Sequence, residues 1–253
     1  MKTGATATYV YGLLERKTRP AVERAPAGLP GIGPLRALPV SDGLWLLAAA
    51  APLSRYGAEP IERGLRDLDW VSACALGHER VAEHFLGQGT LLPMKLFTLF
   101  TSEEAAVAQS QGDARRVARL RERLRGRAEW GIRLRRREEA PPVRPAARAR
   151  SGREFLQRKA RERALSQGER SGDRARVESV LKSLRPFAAA TVRKELPDEA
   201  GRLLLDAVVL VDRKKAAALR RAGAQLSRAL AREGIELVLT GPWPAYHFLE
   251  TRR

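Results

Sequence analysis

The sequence predicts an α+β protein of two domains, each a modified ferredoxin-like sheet with packed helices. The 253 residues are enough for two domains of ordinary size, each with its own core. Short apolar segments typical of strands and longer segments of helical period occur in both halves of the chain. From Glu129 onward their order is β-α-β-β-α-β, the split βαβ order of a ferredoxin-like fold. The first half has the order β-β-β-α-β-α, so we expect an N-terminal domain at 1–127 and a C-terminal domain at 128–253.

Three strands are expected at the start of the chain. They are predicted at Ala7–Glu15, Leu35–Val40 and Leu44–Ala51. The tripeptide Ser41-Asp42-Gly43 suits a tight hairpin turn between the second and third strands. The loop at 16–34 contains GLPGIG, which lacks the GxGxxG spacing of a phosphate-binding loop, and its prolines remove backbone donors. We therefore predict a turn in this loop and no cofactor site.

A long amphipathic helix is predicted next, at Glu59–Leu86. Residues at steps of three and four form its expected apolar stripe: Ile61, Leu65, Leu68, Ser72, Ala75, Ala82 and Leu86. His78 and His84 lie six positions apart, so a helix turns them to opposite sides. We therefore expect surface or rim histidines and no metal site.

The apolar segment Leu91–Phe100, LLPMKLFTLF, is predicted to be a buried central strand. It is too short for a membrane helix, and Pro93 stands near its start, where a missing N–H is tolerable. Lys95 has two interpretations: an aliphatic stem that reaches the edge of the sheet, or a charge directed at a partner. Helices are predicted to follow at Ser102–Gln111 and Asp113–Arg127.

The second half is predicted to contain four strands and two helices. The first strand, Glu129–Arg137, has apolar residues on one face and arginines on the other. The loop at 138–150 has no period, and Ser151 with Glu154 forms a capping box that begins a long basic helix. The remaining elements are strands at Phe187–Leu196, Leu203–Val211 and Ile235–Thr240, and a helix from Asp212 to Gly234.

An aromatic tail, Gly241–Phe248, follows the last strand. Trp243, Tyr246 and Phe248 each cost roughly 2 kcal/mol or more to leave in water. They either fold back on their own sheet or dock onto another molecule. We expect a structural tail that packs on the C-terminal domain.

The net charge and the residue composition limit the classes of function that fit this sequence. The net charge is 47 − 29 = +18, and the segment from Asp113 to Arg176 holds 22 basic and 9 acidic residues. A basic nucleic-acid-binding module is therefore the alternative function, although these arginines lack interleaved aromatics for stacking on bases. The nearest set of catalytic residue types is Cys74, His78 and Glu79, and we predict no catalytic, cofactor or metal site. A single cysteine, no signal peptide and no apolar span lead us to expect a cytoplasmic protein without membrane contact.

Six motifs in order resemble one known family. They are YVYG at Tyr9–Gly12, DLDW at Asp67–Trp70, LLPMKLFTLF, GRAEWGIRL at Gly126–Leu134, GREFLQRKA at Gly152–Ala160 and LTGPWPAYHF at Leu239–Phe248. Together they resemble the GvpL/GvpF family of gas vesicle proteins over nearly the whole chain. There are two departures. Phe97 stands where the family has the glycine of a basic-Phe-Gly-Thr motif, and Ala245 stands where the tail has its second proline.

The resemblance implies a non-enzymatic accessory protein of gas vesicle assembly, located on the gas vesicle as well as in the cytoplasm. Its expected partners are the small hydrophobic shell protein and other gas vesicle accessory proteins, without specific nucleic acid; both an L-type and an F-type member fit. We expect the N-terminal sheet to accept a strand of the shell protein at an open face or edge. Lys95 and Phe97 in that sheet, with Arg115 and Arg119 in the basic helix, are the predicted partner-binding residues.

Overall fold

A computed structural model of the chain describes residues 5–137, 171–196 and 202–250. The chain divides into two compact units: Met1–Glu129 with Pro242–Arg253, and Trp130–Gly241. The C-terminal segment thus belongs to the first unit, and the expectation that the aromatic tail packs on the C-terminal domain is wrong. The division into independently folding domains at 1–127 and 128–253 stays a prediction.

The first unit is built on a five-stranded antiparallel sheet. Its strands are β1 (Thr6–Glu15), β2 (Arg36–Ser41), β3 (Leu44–Pro52), β4 (Thr90–Pro93) and β5 (Leu99–Phe100). The sheet order is β2-β3-β1-β4, and β5 also pairs with β1. This order confirms the ferredoxin-like α+β fold. One helix of that fold is missing, because the segment between β1 and β2 has only a short 3-10 turn at Val22–Arg24.

Helices cover both faces of this sheet. They are α1 (Leu53–Tyr56), α2 (Ala58–Gly64), α3 (Leu68–Leu86), α4 (Glu103–Gly112) and α5 (Ala114–Leu124). Tyr9 and Tyr11 of β1 share a core with Phe85 of α3, while Leu13 lies opposite Leu120 of α5. A β-bulge between Val10 and Gly12 turns Tyr11 and Leu13 to opposite faces, and β1 is buried on both faces along nearly its whole length. The expectation of an open face on the N-terminal sheet is therefore wrong, and only an edge remains.

The segment LLPMKLFTLF is not one central strand. It forms two edge strands, β4 and β5, separated by a turn at 94–98. The Thr98 N–H and hydroxyl both bond the Lys95 carbonyl, at 3.2 and 2.7 Å, and close the turn. Phe97 adopts φ +62°, and it is the one non-glycine residue with positive φ in the described part of the chain. The apolar pattern is continuous because the turn itself packs against the core, so it hides the break.

The predicted helix Glu59–Leu86 is two helices, and its predicted apolar stripe is wrong over Leu65, Leu68, Ser72 and Ala75, whose side chains are exposed. The Asp67 carboxylate accepts the N–H groups of Asp69 and Trp70 at 3.0 and 3.2 Å, and this N-cap starts α3. Leu68 is 80% exposed, and Leu65 and Leu76 are each 55% exposed. The buried face contains Cys74, Gly77, His78, Val81 and Phe85, together with Ala82 and Leu86 of the predicted stripe. A Cβ at Gly77 would lie 2.4 Å from the Gly28 carbonyl oxygen, so α3 turns this glycine toward the loop before β2.

The second unit has a four-stranded sheet in the same ferredoxin-like order, β7-β8-β6-β9. Its strands are β6 (Arg127–Arg136), β7 (Ala188–Arg193), β8 (Leu203–Asp212) and β9 (Ile235–Trp243), and its helices are α6 (171–184) and α7 (Ala216–Ala231). β6 begins three residues before the boundary of the unit, and β9 runs two residues past it.

The core of the second unit lies between its sheet and its two helices. Trp130, Ile132 and Leu134 of β6 share it with Leu184 of α6 and Leu219 of α7, which confirms the predicted apolar face of this strand. The predicted loop at 138–150 and the capping box at Ser151 lie outside the described residues. None of the described helices is both long and apolar enough to cross a membrane.

Candidate partner-binding site

The turn at 94–98 presents two of the predicted partner-binding residues. The Lys95 side chain is 77% exposed and forms an ion pair with Glu250 at 2.9 Å. This hydrogen bond from Lys95 lowers the pKa of the Glu250 carboxyl. The ammonium lies on an exposed turn and pairs with Glu250, so Lys95 is not a stem inside a strand, and its contact with a partner stays a prediction.

Phe97 is held in a strained conformation by an aromatic partner. Its ring stacks on Trp70 of the DLDW motif, with centroids 5.3 Å apart and planes 13° apart. A positive φ costs a bulky residue roughly 1–2 kcal/mol, which glycine avoids. The glycine that the resemblance implies at this position would avoid this cost. The half-buried ring stands beside Lys95 on the same turn.

Beneath the turn lies a buried hydrogen-bond chain through His78. The Nε2–H of His78 donates to the Met94 carbonyl at 3.0 Å, so Nδ1 accepts the hydroxyl proton of Tyr9 at 2.6 Å. Burial lowers the pKa of His78 to about 4, and the ring is therefore neutral near pH 7. The expectation of a surface or rim position for His78 is wrong, because both ring nitrogens are satisfied inside the unit.

Cys74, His78 and Glu79 do not form a nucleophile–base set. Cys74 is fully buried, and burial raises the pKa of its thiol. Both nitrogens of His78 are occupied by Tyr9 and by the Met94 carbonyl. Burial also raises the pKa of the Glu79 carboxyl. The described residues contain no group of three His, Cys, Asp or Glu that could hold a metal ion.

Helix α5 supplies the other two predicted residues. It carries five arginines and one glutamate in eleven residues. Val117, Leu120 and Leu124 face the core as predicted, which leaves Arg115 and Arg119 exposed. Arg121 is different, since it pairs with Glu15 of β1. Within the described ranges Arg115 and Arg119 have no ion-pair partner, so their charges are available to another molecule.

The aromatic tail packs within the first unit. Phe248 is fully buried, and the Arg123 guanidinium lies 5.7 Å from the centre of its ring. The Tyr246 ring lies 6.1 Å from that of His78. Trp243 remains 37% exposed. Glu250 brings the end of this tail to Lys95, and its carbonyl accepts from Arg123 of α5 at 3.5 Å.

Sequence reasoning missed the acid that fixes this tail. Glu129 is 4% exposed, and its carboxylate accepts the His247 N–H at 3.0 Å and bonds His247 Nδ1 at 2.6 Å. A charge this deeply buried needs such partners. The motif GRAEWGIRL contains one signal for it, because Glu129 is the single acid among the arginines of its strand.

A cavity of 170 Å³ lies between the edge of the sheet and α5. Its walls include Leu13 and Leu92 of the sheet, Val117 and Leu120 of α5, and Leu249 of the tail. Arg116 and Asp113 also line it. No local sequence pattern indicates this cavity, because its walls come from four segments that are distant in the chain.

Comparisons with known proteins agree with the motifs. A family model described as "Gas vesicle synthesis protein GvpL/GvpF" matches residues 7–250. The chain is 30% identical to Gas vesicle protein L of Streptomyces sp. (strain CB03234) over 258 residues, which cover 95% of this chain and 91% of that protein.

Two crystal structures share the fold. Gas vesicle protein GvpF from Anabaena sp. PCC7120 has a TM-score of 0.73 at 17% identity, with 98% of this chain and 100% of that chain covered. GvpF from Microcystis aeruginosa has a TM-score of 0.69 at 14% identity, with 97% and 99% covered.

Proposed function

Because the chain belongs to the gas vesicle synthesis protein GvpL/GvpF family, we propose that it is an accessory protein of gas vesicle assembly that binds the small hydrophobic shell protein. The proposed contact is the turn–helix surface, which we define as Lys95, Phe97, Arg115 and Arg119. On this proposal the protein associates with gas vesicles and their other accessory proteins. Its role is binding, and it catalyses no reaction.

The observation that carries the proposal is the strained, supported turn at 94–98. Backbone strain persists only where the surroundings determine it, and it concentrates at binding sites. Here the Met94 carbonyl is held by buried His78, and Phe97 is held by Trp70. A rigid turn loses little conformational entropy on binding. An exposed lysine and a half-buried aromatic ring on such a turn offer a partner one charge and one apolar contact.

The charged residues around the turn–helix surface also support this proposal. Glu250 pairs with Lys95, and its carboxyl pKa is also lowered by Arg116 of α5, which links the turn to the helix. Arg115 and Arg119, which have no ion-pair partner among the described residues, add positive charge, which favours an acidic partner and its rate of association. The same charge would attract nucleic acid, so the alternative of a basic nucleic-acid-binding module has to be separated by experiment.

Co-purification of the shell protein tests the proposal. The full chain is immobilised and mixed with the shell protein, first as wild type and then as Arg115→Glu/Arg119→Glu. Arg221→Glu/Arg228→Glu is the matched control, because Arg221 and Arg228 are two exposed arginines on α7 of the second unit. We expect wild type and the control to retain the shell protein and the double variant to lose at least tenfold. Equal retention by all three proteins would show that Arg115 and Arg119 of α5 are not part of the binding surface.

A further inference from the structure

The cavity beside α5 has the size of one apolar side chain. Its volume is 170 Å³, and most of its walls are apolar, with Leu92, Val117, Leu120 and Leu249 among them. A protein cavity of about 150 Å³ with such walls accepts benzene, whereas small-molecule sites occupy roughly 300–1,000 Å³. The volume therefore suits a leucine or phenylalanine side chain and is too small for a cofactor.

The surroundings of the cavity are basic. Arg116 lines it, and Arg115 and Arg119 stand exposed on the same helix. The one acid that lines the cavity, Asp113, already accepts a hydrogen bond from Gln109 at 3.1 Å. With five arginines against one glutamate on α5, carboxylates are the complementary charge.

We propose that this cavity is an anchor site for a leucine or phenylalanine side chain from an acidic segment of a partner protein. The apolar side chain enters between α5 and the tail, and flanking carboxylates pair with Arg115, Arg116 and Arg119. This inference rests on the proposed function and deepens it, since it gives the chemistry of the partner segment. It also gives the tail a second role, because Leu249 forms one wall of the cavity.

Synthetic peptides test the anchor site with the full chain. The probe is a fluorescein-labelled twelve-residue peptide with one central phenylalanine and glutamates on both sides. Two matched peptides replace the phenylalanine by alanine or every glutamate by lysine. We expect fluorescence anisotropy to show at least tenfold tighter binding of the acidic phenylalanine peptide than of either matched peptide. Equal binding of the phenylalanine and alanine peptides, equal binding of the lysine peptide, or no binding at all would overturn the proposal.

Two variants that fill the cavity locate the site. Val117→Phe fills it from α5, and Leu249→Trp fills it from the partly exposed tail, where little repacking is needed. Both should bind the phenylalanine and alanine peptides within twofold of each other, while Arg228→Glu should keep the tenfold preference. If Leu249→Trp, folded by circular dichroism, keeps the full preference, the anchor lies elsewhere and the proposal is wrong.

Shell-protein capture separates this proposal from the proposed function. If Leu249→Trp captures the shell protein as well as wild type does, the anchor site is wrong and the proposed function stands. If wild type binds the phenylalanine peptide with the expected preference but captures no shell protein, the proposed function fails and the anchor site stands.

Discussion

At the scale of single residues, Phe97 combines backbone strain with a stabilising contact. Its positive φ costs roughly 1–2 kcal/mol, and its stacking on Trp70 returns about 0.5–1.5 kcal/mol beyond burial. The strain is local to the turn, and the ring anchors the turn to the core. Stability can therefore be changed separately through the backbone and through the ring.

Alanine usually stabilises a folded chain more than glycine does, but at position 97 we expect the opposite. Both variants lose the stacking on Trp70, but alanine keeps the strained φ whereas glycine relieves it. We expect Phe97→Gly to be more stable than Phe97→Ala by about 1 kcal/mol in urea unfolding. An alanine variant as stable as the glycine variant would show that the turn relaxes out of the left-handed region.

The buried His78 should make the first unit sensitive to acid. Its pKa falls from 6.5 to about 4 in the folded chain, so only the unfolded chain binds this proton between those values. Stability is therefore lost as pH falls from about 6.5 to 4, by on the order of 3 kcal/mol. Unfolding of wild type and His78→Gln should be compared at pH 7 and pH 4.5. The loss should be smaller in the variant, and parallel losses would contradict the assignment.

The burial of His78 and of Glu129 could not be predicted from the sequence. Spacing by threes and fours predicts an apolar stripe that includes Leu65 and Leu68, but both side chains are exposed. Two contacts that no local sequence pattern shows determine which face of α3 is buried. Gly77 packs against the Gly28 carbonyl, and His78 forms two hydrogen bonds. Likewise, a buried Glu129 is predictable only once His247 is known to reach it.

At the scale of elements, strand order was predictable and the position of the tail was not. Alternation along β6 and the hairpin turn before β3 are local signals, and they support the predicted order of elements. The apolar residues of the tail show neither helical nor strand periodicity. Its position depends on long-range contacts with Arg123, Glu129 and Lys95, which no local pattern contains.

Removal of the tail should weaken the first unit. Deletion of residues 242–253 exposes the pocket of Phe248 and leaves Glu129 buried without His247. The expected loss is about 3–5 kcal/mol. Hydrogen exchange in the full-length background should show faster exchange in β1 and α3 and little change in α7.

The substitution Glu129→Gln should have a smaller effect on hydrogen exchange than this deletion. It keeps the size of the side chain and removes the charge that His247 contacts at 2.6 Å. We expect an intermediate effect on the same amides. If the deletion accelerated exchange only in α6 and α7, the tail would pack on the second unit, and its assignment to the first unit would be wrong.

At the scale of the whole molecule, the net charge of +18 does not by itself define a nucleic-acid site. Among the described residues, Arg121, Arg133, Arg135 and Arg136 are engaged with carboxylates of their own units. We expect weak DNA binding without sequence preference that disappears above physiological salt in a gel-shift assay. Binding to a defined sequence at high salt would instead favour the nucleic-acid-binding alternative.

The central claim is that the turn–helix surface binds the shell protein, and Lys95→Glu tests it most directly because Lys95 contributes little to stability. The Lys95–Glu250 pair is exposed on both sides, so its loss should change stability by less than about 1 kcal/mol. Thermal unfolding and shell-protein capture are measured on the same preparation. The account predicts an unchanged melting temperature and capture reduced severalfold, because the charge at the contact is reversed. Unchanged capture by a fully folded Lys95→Glu protein would contradict it.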